Sequence, residues 1–244
     1  SAGCAAAGKA AEVGARLDGF VFSEDVQFTD DTGAWAILRV VGPRSAEVVV
    51  EASARVVGSR ESVPGAGALA GWPEFQVARW PDGEQGVIVA ATREWGLPGF
   101  DVFAPAAKAG AVHDALVAAG CKYVQANDPM IVKRKGDIGI FTKAIEVLFG
   151  GVSGAETGVY TWFGDASGVL GEMLKLPVDV IGLDFAAGRA NWEAVAAVSF
   201  DKTLGFGFVD GRNVRMESAR EVAEAIKRVS QHVPEERLRV NPSC

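Results

Sequence analysis

Five short apolar segments in the second half of this 244-residue chain are each followed by polar residues. These are Gln125, Asn127 and Asp128; Trp162 to Asp165; Asp184; Asp210, Arg212 and Asn213; and Asn241, Ser243 and Cys244. In parallel α/β architectures ligands collect at the carboxyl ends of strands, so these positions form the expected site. Asp184, Asp210 and Arg212 are the expected catalytic groups, and Asp128, Asp165, Asn213 and Ser243 are expected to bind a cofactor. Asp184 follows the buried-looking run Val180-Ile181-Gly182-Leu183 and needs a partner there, for which Arg212 is the candidate. Asp165 and Asp210 have a competing role as helix caps or turn formers, and Asp128-Pro129 is a common turn dipeptide.

Other chemistries have less support. His113 and His232 fall on predicted helices, and no serine or cysteine sits in a nucleophile elbow. Gly150 to Gly154 follows a helix rather than a strand, so it reads as a helix stop and not a phosphate loop.

The elements that must position these residues change rhythm at Gly120. Beyond it, Lys122–Gln125, Gly158–Thr161, Val178–Leu183, Leu204–Val209 and Leu238–Val240 read as short strands with a helical pattern in each gap. That alternation is the signature of parallel βα units. The last helix is marked by Ser218 with Glu221 three residues on, and by the stripe Val222, Ile226, Val229, Val233. Five strands with their helices make just over half of an eight-stranded barrel.

Residues 1–120 read as mixed α and β. A helix is expected at Ala5–Leu17, then a hairpin in Ser23–Val41 around Asp30 to Gly33, with Trp35–Val41 as its second strand. A helix at Ser45–Val57, a turn-rich stretch, strands Phe75–Trp80, Gly86–Ala91 and Phe100–Phe103, and a helix at Ala106–Ala119 follow. The fold expected is thus α/β plus α+β: a ferredoxin-like α+β domain over 1–120, then parallel βα units of a partial TIM-type barrel over 121–244.

Composition bounds the function. The chain has 49% hydrophobic and 23% charged residues, in the range of globular proteins. Its net charge is −7, with 9 Lys/Arg against 15 Asp/Glu in residues 1–120 and 15 against 16 beyond. Neither half has the clustered positive charge of a nucleic-acid binder. Lys133-Arg134-Lys135 is short and reads as a solvated loop. No apolar run is long enough for a membrane span. Cys4, Cys121 and Cys244 lie far apart, which suggests a reducing, cytoplasmic setting rather than a disulfide framework. The Ala/Gly-rich start does not read as a secretory signal.

Five blocks carry a resemblance. Tyr123 to Pro129 (YVQANDP), Thr161 to Asp165 (TWFGD), Leu176 to Asp179 (LPVD), Gly207 to Asn213 (GFVDGRN) and Val240 to Cys244 (VNPSC) resemble, in order and spacing, cobalamin-independent methionine synthase. The resemblance implies a barrel and methyl transfer from a methylated folate to homocysteine, whose thiolate is activated by zinc on His, Cys, Glu and Cys. It puts Tyr160 and Trp162 at the first two ligand positions, Asp184 at the glutamate and Cys244 at the last cysteine. Only Asp184 and Cys244 are metal-ligating types, and neither an indole nor a neutral phenol replaces His or thiolate. The Trp-Phe-Gly-Asp and Asp-Gly-Arg-Asn forms resemble instead the non-zinc amino-terminal barrel of that enzyme, whose role is largely structural with some part in folate binding.

Leu17 to Val26, Trp35 to Pro43 and Gly96 to Val102 resemble the glycine-cleavage T-protein and its folate-binding relatives. In that family an acidic residue after Gly-Phe contacts the pterin, which implies a folate-binding role for Asp101. Three functions are therefore expected to compete. One is folate-linked methyl transfer with a thiol as the second small-molecule substrate. Another is a non-catalytic folate-binding or assembly module, whose open edge at Lys122–Gln125 is covered by another chain or by oligomerisation. The last is a composite or fragment whose halves act separately.

Overall fold

The structure is a computed structural model and describes residues 10–22, 25–31, 33–81, 83, 86–94, 96–128 and 130–243. It divides into two compact units, Ser1–Gly120 and Cys121–Cys244, at the boundary where the sequence rhythm changes.

In the first unit α1 (Ala10–Asp18) precedes β1 (Trp35–Val41), α2 (Ser45–Val57) and α3 (Ala66–Ala70); β2 (Val77–Trp80), β3 (Val87–Glu94), β4 (Leu97–Pro105) and α4 (Ala109–Ala118) follow. The expected helix from Ala5 begins in residues outside those described. Helix α2 ends at Gly58, whose φ of 77° places it in the left-handed region while its N–H bonds back to the Ala54 carbonyl. The four strands form one antiparallel sheet in the order β1-β4-β3-β2. Val40, Val89, Phe100, Val102 and Ala104 of the sheet are buried, as are Val48, Val49 and Ala52 of α2 and Val112 and Leu116 of α4.

Three expectations are corrected. Residues 25–31 form no strand, and their alternating apolar residues Val26 and Phe28 stay exposed; β1 pairs instead with β4, Val40 opposite Phe100. The ferredoxin-like β-α-β-β-α-β order does not form either, because β2, β3 and β4 follow one another and β4 returns beside β1. The strand after α4 joins the other sheet. The stretch read as turns between α2 and β2 contains α3, whose Leu69 is fully buried.

The second unit runs β5 (Tyr123–Asn127), α5 (Ile138–Phe149), β6 (Glu156–Tyr160), α6 (Leu170–Met173), β7 (Val180–Asp184), α7 (Asn191–Ala196), β8 (Thr203–Val209), α8 (Ala219–Val229) and β9 (Leu238–Pro242). The five strands are parallel and lie in chain order, β5-β6-β7-β8-β9. Because crossovers between parallel strands are right-handed, sequential order puts every helix on one face, as in a barrel wall. Val159, Ile181, Leu183, Leu204 and Phe206 point to that face and pack with Phe141, Ile145, Val195 and Val229 of the helices.

The other face is lined by glycine. A Cβ on Gly182 would overlap the Tyr160 ring, one on Gly205 would sit 2.6 Å from it, and one on Gly158 would overlap the Tyr123 hydroxyl. The two phenols therefore lie flat across neighbouring strands. On the same face Arg239 of β9 donates from Nη2 to both carboxylate oxygens of Glu156 on β6, at 2.7 and 2.8 Å, and lies 5.6 Å from the Tyr123 ring centroid. Three strand spacings separate β6 from β9, about 14 Å in a flat sheet, so this bidentate contact reports strong curvature.

Candidate functional site

The carboxyl ends of β5 to β9 carry the expected residues, and their partners sort them. Asp184, wholly buried, accepts hydrogen bonds from the backbone N–H of Phe163 at 2.9 Å and of Ala187 at 2.7 Å. Its partner is therefore backbone, not Arg212. A buried carboxylate tolerates its desolvation when amides point at it. The bond matters because Phe163 has a φ of 63°, a left-handed conformation that costs a non-glycine residue energy. Asp184 thus ties the exit of β6 to the exit of β7 and fixes where the Phe163 ring stands.

That ring is 42% exposed, with the Arg212 guanidinium 5.2 Å from its centroid. Arg212 donates from Nε to Asp210 Oδ1 at 3.0 Å and from its backbone N–H to the same oxygen at 3.1 Å. These two bonds hold the Asp210 carboxyl below its ordinary range. The exits of β6 and β8 together present an aromatic face, a guanidinium and a carboxylate side by side. Such a trio can stack on a planar ring and bind its polar edge.

Asp165 accepts from the Ser167 hydroxyl and backbone N–H and from Lys135 Nζ, the last at 2.9 Å. The Ser167 hydroxyl, and then Lys135, lower its pKa. Lys135, read from sequence as part of a solvated loop, is thereby paired. Asp128 forms a turn, its Oδ1 accepting from the N–H groups of Met130 and Ile131 at 2.6 and 3.0 Å. Asn213 Oδ1 accepts from the Arg215 N–H at 3.1 Å. Ser243 is fully buried, and its Oγ, like Asn241 Oδ1, has no hydrogen-bond partner among the described residues. Burial, followed by the neighbouring Tyr160 phenol, pushes the Tyr123 phenol well above its ordinary pKa, so it remains a neutral hydroxyl. Asp101 belongs to the first unit, on β4, where Arg39 of β1 clasps it with two bonds of 2.6 and 2.9 Å.

Sequence reasoning missed Asn191. Wholly buried, it accepts from the Ala166 N–H at 2.8 Å and donates to the carbonyls of Asp184 at 2.8 Å and Gly164 at 3.3 Å. It locks the loops after β6 and β7 together. An asparagine at the start of a short helix carries no sequence signal for this role; only the loop positions reveal it. Phe163 lies within the expected exit Trp162 to Asp165, but nothing in its type announces a positive φ.

Among the described residues, the positions that the resemblance would assign to zinc do not fit a metal. Tyr160 is packed over Gly182 and Gly205 and stacks on Trp162, with ring centroids 5.5 Å apart. Both Asp184 oxygens are taken by backbone amides. Cys244 lies outside the described residues. Among the described residues no three His, Cys, Asp or Glu side chains gather into a metal-binding group, and no helix is long and apolar enough to cross a membrane.

Residues 109–234 match the family described as "Cobalamin-independent synthase, N-terminal domain". The chain is 36% identical over 134 residues to a 5-methyltetrahydropteroyltriglutamate–homocysteine methyltransferase of Halalkalibacterium halodurans, covering 53% of this chain and 18% of that one. It is 33% identical over 132 residues to a methionine synthase of Saccharolobus solfataricus, covering 53% and 39%. A solved B12-independent methionine synthase from a Shewanella species aligns with a TM-score of 0.49 and 19% identity over 55% of this chain and 45% of that one. The chain thus spans less than half the length of these curated relatives. Since the matched segment covers more than half of the 244 residues and all the loops from β5 to α8, the chain belongs to the cobalamin-independent synthase N-terminal domain family.

Proposed function

We propose that this chain serves folate-linked methyl transfer by binding a reduced folate at the carboxyl ends of β6 to β9, without zinc activation of a thiol. The observation that carries this reading is the Phe163–Arg212–Asp210 constellation, in a segment that matches methyl-transfer enzymes. In this reading the pterin ring stacks on Phe163, Arg212 and Asp210 contact its polar edge, and Asp184 positions Phe163. Asp165, Asn213, Asp128 and Ser243, whose hydroxyl has no hydrogen-bond partner among the described residues, hold the ligand or shape its loops in the same reading. Asp101 is proposed as a separate folate contact in the first unit, following the T-protein resemblance of residues 17–120.

Titration calorimetry with 5-methyltetrahydrofolate tests this. Binding that Arg212→Ala weakens at least tenfold is expected; absence of heat at high folate overturns it. Metal analysis of the purified protein is expected to give well below one zinc per chain, and one equivalent would overturn the zinc-free reading.

A second reading is favoured by α5. Its Phe141, Ile145 and Phe149 are buried, yet Ile140 and Val147 on the same helix are 74% and 80% exposed, and β5 is the last strand of its sheet. An open strand edge beside an uncovered apolar helix face fits a covering βα unit from a second copy of the chain. Sedimentation velocity is expected to show concentration-dependent dimers that Val147→Asp abolishes; a monomer at all concentrations removes this reading.

A further inference from the structure

Between the end of β7 and the start of α7, Asp184, Gly188 and Asn191 all meet the loop that follows β6. Asp184 holds the Phe163 N–H with its carboxylate. Gly188 is buried, and a Cβ built on it would overlap the Gly164 carbonyl oxygen and lie 2.6 Å from both the Asp184 carbonyl oxygen and Asn191 Nδ2. A glycine is what lets the two loops come this close. Asn191, wholly buried, donates to the Gly164 carbonyl and accepts from the Ala166 N–H. The segment is itself braced: the Asp184 carbonyl accepts the Gly188 N–H at 3.1 Å, and the Gly188 carbonyl accepts the Asn191 N–H at 2.9 Å.

One short segment thus fixes the Phe163 N–H, the Gly164 carbonyl and the Ala166 N–H at the neighbouring strand exit. What it imposes there is locally costly. Phe163 stands at a φ of 63°, which a bulky side chain adopts only where its surroundings over-determine it. Nearly half of its ring faces solvent, so burial offsets that strain only in part.

We propose that Gly188 and Asn191 are positioning residues of the ligand site: they act through residues 163–166 to preset the Phe163 ring as a stacking platform, and touch no ligand themselves. Gly188 admits the Gly164 carbonyl, and Asn191 pins the peptides on either side of Asp165. A platform set in advance spares the ligand the cost of ordering the loop, so loss of the segment's hold weakens binding although every contacting side chain is still present. The inference rests on the folate reading for the identity of the ligand, and on the structure alone for the coupling of Gly188 and Asn191 to Phe163.

Two measurements on the full chain test it. The first needs no ligand: NMR backbone shifts and the amide-to-Hα coupling of Phe163 report its left-handed conformation. Gly188→Ala and Asn191→Ala are each expected to lose that signature while circular dichroism shows an intact fold. Its retention in the folded variants overturns the proposal. The second is a double-mutant cycle on 5-methyltetrahydrofolate binding, followed by calorimetry. Asn191→Ala is expected to weaken binding about tenfold in the unaltered background and less than about twofold beside Phe163→Ala, a coupling typical of residues that act as a unit. Equal losses in both backgrounds overturn the proposal, because a merely structural role would weaken both alike. Gly188→Ala, which removes no hydrogen-bonding group, carries the same cycle where Asn191→Ala does not fold. If the unaltered chain binds no folate, the folate reading falls, and the Phe163 signature still decides whether Gly188 and Asn191 set the ring.

Discussion

The carboxylate of Asp184 receives the backbone N–H of Phe163 at 2.9 Å, one strand away, and so holds an aromatic residue in a left-handed conformation at the mouth of the sheet. Asp184→Ala leaves the amides of Phe163 and Ala187 without their acceptor. A loss of about 3 kcal/mol is expected, from two orphaned donors at ~1–3 kcal/mol each. Urea unfolding should show it as a lower midpoint, with Asp184→Asn milder because one oxygen remains.

The glycine floor and the tyrosine above it are a matched pair. Gly182→Ala pushes a methyl into the Tyr160 ring, an overpacking expected to cost about 1–3 kcal/mol. Tyr160→Leu should cost stability by itself yet absorb much of the Gly182→Ala penalty. A double-mutant cycle by thermal denaturation checks this, and strict additivity would refute the contact.

Asp165 governs part of the acid limb. Its pKa is lowered by the Ser167 hydroxyl and by Lys135, so it binds protons less readily folded than unfolded. Its contribution is full above the unfolded value, near 3.9, and is lost as pH falls through the lower folded value. Asp165→Asn is expected to destabilise the protein at pH 7 and to flatten the decline in melting temperature below about pH 4. Parallel acid limbs in the two proteins would contradict this.

Helix α8 begins with a reciprocal cap, the Ser218 hydroxyl and the Glu221 carboxylate each satisfying the other's backbone N–H. Ser218→Ala is expected to cost about 1 kcal/mol. Amide exchange should quicken first at residues 219–222, while β7, at the centre of its sheet, stays protected.

Residues 121–244 were legible because each strand is a short apolar run between helices, and parallel strands buried by helices must read that way. The capping box at Ser218 and Glu221 was legible for the same reason, since its signal lies within four residues. The first unit was harder to read. The sequence around Asp30 and Gly33 offers a turn, but whether a strand forms before it depends on a partner that covers its apolar residues, and Val26 and Phe28 stay exposed. The partner of β1 lies some sixty residues on, and local periodicity cannot name it.

The site divides along the same line. Residue types by themselves determined that the strand exits are polar and that neither the Trp162 indole nor a neutral Tyr160 phenol supplies the donor of a His or thiolate, because donor chemistry is a property of the side chain. Only the tertiary structure decided who meets whom. Arg212 turned to Asp210 and Phe163, Asp184 to two amides, and Asn191 to three loop groups. Hydrogen bonds across strands depend on loop positions set by packing at a distance, and that information is spread over the whole unit rather than written at any one residue.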